Sequence, residues 1–371
     1  MTRKNDQHNL SAISVNTPYG LIDGASGSIK DFLTEYVKNR QFISDSEISL
    51  EDRLEEFEDV MESEVGDTSL VRARNLERNL NLRQIYLKFE GGNPTGTQKD
   101  RIAFAQCMDA MRRGFDTITL ATCGNYGVAS SLAAYLAGLK CQIFIPESYH
   151  TRRIQEITDL GAEVIWVKGD YEHAVEASKK YAEKHEYYDA NPGGNNTVLQ
   201  LKAYGEIAYE IYDELRDAPG MVAVPVSNGT VIAGIYKGFV SLYRRGKISR
   251  IPRMIAGSSY RKNPIIQSYL LNKETCEDLV PERIRESKIN EPLINWHAYD
   301  GDYALDAIRQ SDGWAGEATD KEMTYFARLI RENEGINVLT ASTAGLIALV
   351  EKHRKEILDN DRFVIVLTGR K

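Results

Sequence analysis

Lys99 is the residue whose surroundings in the sequence most directly suggest chemistry. Residues 84–90 carry the hydrophobic pattern of a strand, and apolar side chains recur at helical spacing from Ile102 onward. The glycine-rich loop between these elements ends at Lys99, where the helix should begin. The positive end of a helix dipole disfavours a second positive charge, so it lowers the pKa of an amine placed there. Because a neutral amine is needed to form a Schiff base, we expect Lys99 to be catalytic.

Two other kinds of loop can also place a lysine just before a helix. An ordinary surface loop can end in a charged triplet, and composition alone favours that explanation. A nucleotide phosphate loop needs lysine directly after its second glycine, followed by serine or threonine. Here two residues separate Gly96 from Lys99, and Asp100 follows the lysine. The nucleotide-binding interpretation is therefore excluded.

Three further segments follow predicted strands, and ligands bind at the carboxyl ends of strands in open parallel sheets. In residues 122–127, two glycines allow close backbone approach and Asn125 offers an amide, although Asn125 could simply cap a helix. Residues 227–230, Ser-Asn-Gly-Thr, combine hydroxyls with a helix start, which suits a dianion, although a capped helix also explains them. Thr368 follows the last predicted strand.

Residues 93–101 read Asn-Pro-Thr-Gly-Thr-Gln-Lys-Asp-Arg. This stretch resembles the lysine motif of pyridoxal-phosphate (PLP) enzymes of fold type II, and its Lys-Asp-Arg ending is most similar to the threonine synthase family. The Val-Pro-Val of residues 224–226 and the Leu-Thr-Gly of residues 367–369 resemble the same family. The resemblance extends from about residue 66 to the end of the chain.

The order of strands and helices favours parallel sheets covered by helices. Predicted strands cover residues 84–90, 117–121, 140–146, 163–167, 187–190, 221–226, 253–257 and 362–367. Predicted helices between them cover residues 127–138, 152–160, 171–185, 197–215 and 231–245. Before these units, we expect one helix in residues 30–40 and an acidic amphipathic helix within residues 45–64.

The resemblance implies an α/β fold of two open, twisted parallel-sheet domains, with helices on both faces and the cofactor in the cleft between them. Residues 1–65 are expected to form a partly helical N-terminal extension. Residues 66–107 and 191–371 are expected to form the large cofactor-binding domain. Residues 108–190 are expected to form a small α/β domain inserted into it.

The resemblance also implies a reaction, in which O-phosphohomoserine and water give threonine and phosphate by γ-elimination and β-replacement. Lys99 would hold PLP as a Schiff base and then act as the base. The other cofactor-binding residues implied are Asn125, Ser227, Asn228, Gly229, Thr230 and Thr368.

Substrate-binding residues are expected near the same loop. Hydroxyls, an amide and backbone N–H groups of the loop suit a substrate carboxylate, and the residues concerned are Asn93, Thr95 and Thr97. A departing phosphate needs cations, and the candidates are Arg101, Arg152 and Arg153.

Residues 339–340, Leu-Thr, stand where the threonine synthase family has Glu-Pro, so other substrates stay open. One alternative is β-replacement or β-elimination on serine, O-phosphoserine or threonine, of the cysteine synthase, cysteate synthase or dehydratase type. Another is a binding or regulatory module that keeps the fold without the chemistry. An intact Lys99 argues against the second alternative, because only the Schiff base requires this lysine.

The composition excludes several classes of partner. The 371 residues carry a net charge of −8, which argues against nucleic acid and anionic membranes. No apolar run approaches the thickness of a bilayer, and the four cysteines have neither metal-ligand nor disulfide spacing. We therefore expect a cytoplasmic protein without a metal. A small phosphorylated or hydroxylated amino acid is expected as the substrate and a homodimer as the assembly, although composition does not determine the oligomeric state.

Overall fold

The computed structural model describes residues 29–122, 124–147, 153–359 and 361–371, and its strands form two sheets. In chain order the strands are β1 (Leu70–Arg72), β2 (Ile85–Phe89), β3 (Thr117–Ala121), β4 (Lys140–Pro146), β5 (Glu163–Val167), β6 (Tyr188–Asp189), β7 (Met221–Pro225), β8 (Arg253–Ser259), β9 (Trp314–Ala318) and β10 (Phe363–Leu367). The six-stranded sheet has the order β1-β2-β10-β7-β8-β9, and the four-stranded sheet has the order β5-β4-β3-β6.

Helices connect most of these strands. In chain order they are α1 (Ile29–Glu35), α2 (Val37–Ser44), α3 (Leu50–Glu64), α4 (Arg74–Leu80), α5 (Lys99–Arg112), α6 (Asn125–Ala137), α7 (Ile154–Asp159), α8 (Tyr171–His185), α9 (Thr197–Leu215), α10 (Thr230–Arg244), α11 (Pro264–Leu270), α12 (Gly301–Gln310), α13 (Asp320–Glu334) and α14 (Ala344–Lys355). None of the helices in the described part of the chain combines the length and apolar character that a bilayer crossing requires.

Nearly all strand pairs are parallel, as the sequence predicted. Every pair in the four-stranded sheet is parallel, and so is every pair in the larger sheet except β1 with β2. The antiparallel strand β1 was missed because it has three residues, none of them buried, and so carries no apolar run. By contrast, every residue of β3, β7 and β10 is buried, as expected for parallel strands covered on both faces.

Helices pack on both faces of the larger sheet. Buried side chains of α13 and α14 meet one face, and α9 and α10 pack on the other. Helix α5 packs against α6 and α9, so the helix that starts at Lys99 lies between the layers of the two sheets. The four-stranded sheet falls within residues 117–189, and the strands of the six-stranded sheet come from before and after it. The domain boundaries themselves stay a prediction.

The N-terminal helices pack onto the helix of Lys99. Helix α3 is the expected acidic amphipathic helix, and Ser49 caps it by accepting a hydrogen bond from Asp52 N. Its buried Phe57 stacks on Phe104 of α5 with ring centroids 5.7 Å apart. The single helix expected in residues 30–40 is two helices, because the backbone at Tyr36 leaves the helical conformation between α1 and α2.

Candidate active site

The four loops singled out in the sequence line one cavity of about 290 Å³. Each follows the carboxyl end of a strand: β2 leads to Lys99, β3 to Asn125, β7 to residues 227–230, and β10 to Thr368. Parallel strands present their carboxyl ends at the same edge of a sheet, so loops far apart in sequence converge there. The cavity therefore receives residues from both sheets.

Lys99 is the first residue of α5 and projects into this cavity, half-buried. Burial lowers the pKa of its amine to about 8, and the carboxylate of Asp300 partly opposes that shift. The Nζ atom lies 5.4 Å from the ring centroid of Tyr126. The direction of this pKa shift agrees with the sequence prediction, but its main cause is the loss of water around the ammonium and not the helix dipole. A larger fraction of this amine is therefore neutral at a given pH than in an ordinary lysine.

Asn125 begins α6 and lines the cavity. The N-cap of that helix is Gly124, and no side chain caps it, so Asn125 is not the capping residue that the sequence left open. The Oδ1 atom of Asn125 instead accepts a hydrogen bond of 2.8 Å from Nη1 of Arg153.

Residues 227–230 connect β7 to α10, and all four line the cavity. The 15-residue helix α10 has no side-chain cap, so the sequence alternative of a capped helix does not hold. Its N-cap Gly229 has φ +95°, and a Cβ there would lie 2.7 Å from the carbonyl oxygen of Asp300. Glycine is therefore required for this turn. The first-turn N–H groups of α10 meet the cavity and suit an anion.

Thr368 joins the cavity to the lysine loop. Its carbonyl oxygen accepts a hydrogen bond of 3.0 Å from the backbone N–H of Gln98. The next residues continue this contact, because Gly369 pairs with Thr97 as an isolated bridge and the N–H of Arg370 donates to Gly96 O at 2.9 Å. The end of the chain thus holds the loop from which Lys99 projects.

The three loop residues predicted to meet a substrate carboxylate do not line the cavity. Asn93 is fully buried, accepts from Gly66 N and donates to the backbone oxygen of Glu90. Both the N–H and the hydroxyl of Thr95 donate to Asp100, at 2.9 and 2.8 Å. The hydroxyl oxygen of Thr97 accepts from the N–H of Lys99. Their predicted contact with substrate stays a prediction, and here their polar groups stabilise the loop.

Arg101, one of the candidates for holding a departing phosphate, is engaged away from the cavity. Arg101 is buried and donates to the carboxylates of Glu90 and Glu210, and Lys88 donates to the same Glu210. This buried network holds α5, β2 and α9 together, and Arg101 does not line the cavity. Arg153 does not line the cavity but donates a hydrogen bond to Asn125, which does, and Arg152 lies outside the described residues.

Two features, one beside the cavity and one lining it, were not found from the sequence. Asp300 is buried and accepts the hydroxyls of Thr230 and Thr197 at 2.5 and 3.3 Å. The sequence shows Asp300 only as a residue before a helix, where an aspartate side chain commonly caps the helix N-terminus. Here its side chain makes no such bond to α12. The second feature is a group of carboxylates that line the cavity: Asp170, Glu172, Glu286 and Glu291.

Two of these carboxylates connect α8 to the segment before α12. The Oδ2 atom of Asp170 accepts from the indole N–H of Trp296 at 3.0 Å, and Oε1 of Glu172 accepts from the backbone N–H of Trp296 at 3.1 Å. Burial raises the pKa of Glu172. These bonds join α8, which packs on the four-stranded sheet, to the segment between β8 and β9 of the six-stranded sheet. All three residues line the cavity.

Comparison with known proteins defines the class. The family model described as "Pyridoxal-phosphate dependent enzyme" matches residues 61–369. The chain therefore belongs to the pyridoxal-phosphate-dependent enzymes. It is 33% identical over 309 residues to the threonine synthase of Methanocaldococcus jannaschii, covering 82% of this chain and 74% of the relative. It is 30% identical to the threonine synthase of Halalkalibacterium halodurans, covering 82% of each. Within its family the chain is thus a threonine synthase-like lyase.

Solved structures with the same fold include the processed form of threonine deaminase isoform 2 from Solanum lycopersicum. That structure has a TM-score of 0.70 at 16% identity, covering 93% of this chain and 91% of the other. Serine racemase from Dictyostelium discoideum has a TM-score of 0.69 at 17% identity, covering 87% and 98%. At these identities the likeness shows the fold alone. The predicted family, fold type II architecture, PLP cofactor and threonine synthase-like class are confirmed.

The residues present fit this cofactor. PLP requires an amine for its aldehyde, a site for a phosphate dianion and polar partners for its ring. The cavity offers Lys99 with a pKa of about 8, the uncapped start of α10, and the side chains of Asn125 and Thr368. These groups come from four separate loops and share one cavity, so the donor set matches the three parts of the cofactor.

Proposed function

We propose that this chain converts O-phosphohomoserine and water to threonine and phosphate by γ-elimination and β-replacement. The observation that carries this proposal is Lys99, an amine with a pKa of about 8 in a cavity that also holds the start of α10. The threonine synthases among its relatives support the choice of substrate. PLP, when bound, accepts the electron pair of a deprotonated substrate carbon.

The residues that would hold PLP come from the four loops of the cavity. Lys99 would bind its aldehyde carbon, and the backbone N–H groups at the start of α10 would bind its phosphate. Asn125 and Thr368 would contact the ring with an amide and a neutral hydroxyl. The full set proposed is Lys99, Asn125, Ser227, Asn228, Gly229, Thr230 and Thr368.

Lys99 would also move protons on the substrate. Its Nζ would take the proton from Cα and later a proton from Cβ, because one flexible side chain reaches both carbons. A base works best when its pKa lies near the operating pH, and burial has brought this amine from its usual value to about 8. Phosphate then leaves from Cγ and water adds at Cβ, which balances the overall reaction.

The direct test is to incubate the PLP-loaded protein with O-phosphohomoserine and measure phosphate and threonine. Equal amounts of both products are expected, and none from Lys99→Ala. Bound PLP without phosphate release from this substrate would reject the proposed substrate while leaving the class intact.

A second candidate function is favoured by the charge of the cavity. Among the described residues that line it, Lys99 is the only lysine, arginine or histidine, whereas four residues are aspartate or glutamate. A phosphate leaving group is normally held by cations. The carboxylates instead favour a substrate with an uncharged side chain, such as serine or threonine, which β-elimination converts to a 2-oxo acid and ammonia. Release of ammonia from L-threonine, with no consumption of O-phosphohomoserine, would establish this alternative.

We also propose that the chain acts in the cytoplasm as a homodimer. The four cysteines show neither metal-ligand nor disulfide spacing, which suits a reducing cytoplasm. Light scattering coupled to gel filtration should give twice the chain mass of 41.8 kDa.

A further inference from the structure

Arg153 lies outside the cavity but is bonded to a residue that lines it. It is the N-cap residue of α7, and Nη1 of its guanidinium donates to Oδ1 of Asn125 at 2.8 Å. Nη2 donates to the backbone oxygen of Thr95 in the lysine loop at 3.2 Å. Nε and Nη2 also donate to the two carboxylate oxygens of Glu156, at 3.0 and 2.8 Å. One side chain therefore connects α7, the Asn125 loop and the Lys99 loop.

The chemistry of the guanidinium fixes which way the amide of Asn125 faces. Arginine has five N–H donors and no acceptor, so the amide atom that faces Arg153 has to be the oxygen. Because the amide is planar, its Nδ2 group is directed away from Arg153. Asn125 lines the cavity and Arg153 does not, which leaves Nδ2–H as the amide group available to a ligand there.

We propose that Arg153 is a positioning residue that fixes Asn125 as a hydrogen-bond donor to the cofactor. This inference rests on the proposed PLP site. The acceptor is the hydroxyl oxygen of PLP, which is the one oxygen bonded directly to its pyridine ring. The charge of the guanidinium also polarises the amide, which makes Nδ2 a stronger donor.

The alternative orientation of the amide carries a penalty. With the amide reversed, Oδ1 would meet the ring oxygen, and two acceptors would face each other without a proton between them. Arg153 cannot compensate for such a reversal, because a guanidinium has no acceptor for the Nδ2 group that would then face it. Loss of Arg153 frees both orientations, and the ring oxygen then loses part of its donor. Its anionic form becomes less stable, and its pKa rises.

This role differs from the direct contact with a substrate phosphate that the sequence suggested for Arg153. A phosphate contact would affect only the KM for a phosphorylated substrate. A positioning role changes the visible spectrum of the PLP-loaded protein with no substrate present. The two roles therefore predict different measurements.

The experiment is a pH titration of the visible absorption of the PLP-loaded protein, without substrate, for four variants. Asn125→Asp keeps the bond to Arg153 but has no donor, so the titration midpoint should rise by about one pH unit. Arg153→Met should raise it in the same direction by a smaller amount. Arg153→Lys should not restore the wild-type midpoint, because one ammonium cannot replace a planar fork with several bonds. Glu156→Gln, which leaves the contact to Asn125, should titrate as the wild type does.

A second measurement uses the full chain without PLP, so it stays informative if PLP fails to bind. The side-chain ¹⁵N–¹H₂ signals of Asn125 can be assigned by their absence in Asn125→Asp. They should move in Arg153→Met and stay in place in Glu156→Gln. Unmoved signals, or a wild-type titration midpoint in Arg153→Met, would overturn the inference. A protein that shows the signal shift but no visible band with PLP would instead reject the proposed function.

Discussion

The hydroxyl of Thr230 donates a hydrogen bond of 2.5 Å to the carboxylate of Asp300. Thr230 starts α10 and belongs to the loop proposed to hold the cofactor phosphate. A buried carboxylate thus lies directly behind an anion site, and burial raises the pKa of Asp300. The same carboxylate favours the protonated form of Lys99. Asp300 therefore links the two ends of the proposed PLP site.

The first prediction concerns the charge of Asp300. Asp300→Asn removes the carboxylate that favours the ammonium form of Lys99, so the pKa of Lys99 should fall below its present value of about 8. More neutral amine is then present at a given pH, and the rise of adduct formation with PLP should move to lower pH. The measurement is the rate of appearance of the visible band as a function of pH.

The matched control is Asp306→Asn, which neutralises an exposed aspartate on the same helix. Its pH profile should follow the wild type. A profile of Asp300→Asn that moves to higher pH would show that the carboxylate does not act on Lys99 as proposed.

The second prediction concerns Lys99 itself. Borohydride reduction of the PLP-loaded protein followed by peptide mapping should place the pyridoxyl group on Lys99. Lys99→Ala and Lys99→Arg should both fold and carry no label, because neither provides an amine that loses its proton. Lys88 is the sharpest internal control, since it is buried and already bonded to Glu210. Label on Lys88 or on Lys202 would contradict the proposed site.

A third prediction tests the phosphate site at Ser227. Ser227→Asp places a carboxylate at the start of α10, where it would repel the PLP phosphate, so the Kd for PLP should rise by about tenfold or more. Gly229 is unsuitable for this test, because any Cβ there would meet the backbone of Asp300. The Kd values are measured by quenching of tryptophan fluorescence.

Two comparisons isolate the charge in that test. Ser227→Asn has nearly the same size as Ser227→Asp without its charge, and it should bind PLP close to wild-type affinity. Pyridoxal lacks the phosphate, so its Kd should change little in either variant. An equal loss of affinity for PLP and pyridoxal would place the phosphate elsewhere.

The fourth prediction assigns Arg101 to stability. Arg101→Met leaves the buried carboxylates of Glu90 and Glu210 without their main cation, so the free energy of unfolding should fall by about 3–5 kcal/mol. The measurement is urea unfolding of the protein without PLP. The control is Arg72→Met, whose ion pair with Glu77 is 39% exposed on the arginine side and should contribute about 1 kcal/mol or less.

The same network predicts a pH dependence. Burial raises the pKa of Glu210, but the cations of Arg101 and Lys88 outweigh it, so this pKa lies below the usual value. A carboxylate with a depressed pKa stabilises the fold above its unfolded pKa of about 4.3, and the contribution disappears as pH falls through the folded pKa. The difference in unfolding free energy between wild type and Glu210→Gln should therefore be full at pH 7 and shrink in acid. A difference that is constant with pH would mean that Glu210 does not titrate in this way.

The sequence by itself determined the strand–loop–helix units and the loops that form the cavity. The predicted bounds of β3, β4, β5, α8 and α9 agree with the structure. Buried parallel strands are continuous apolar runs and the helices have a clear period, so local sequence is sufficient for them. Lys99, Asn125, residues 227–230 and Thr368 were found for the same reason, because loops at the carboxyl ends of parallel strands share one edge.

Only the tertiary structure decided which polar groups of these loops reach the cavity. From the sequence alone, Thr95, Arg101 and Arg153 were all candidates for contact with the substrate. In the structure Thr95 bonds to Asp100, Arg101 bonds to the distant Glu210, and Arg153 bonds to Asn125. Asp300 lies beside Thr230 although Thr230 comes 70 positions earlier in the chain. Burial and hydrogen-bond partners depend on which remote segments pack together, and no local pattern carries that information.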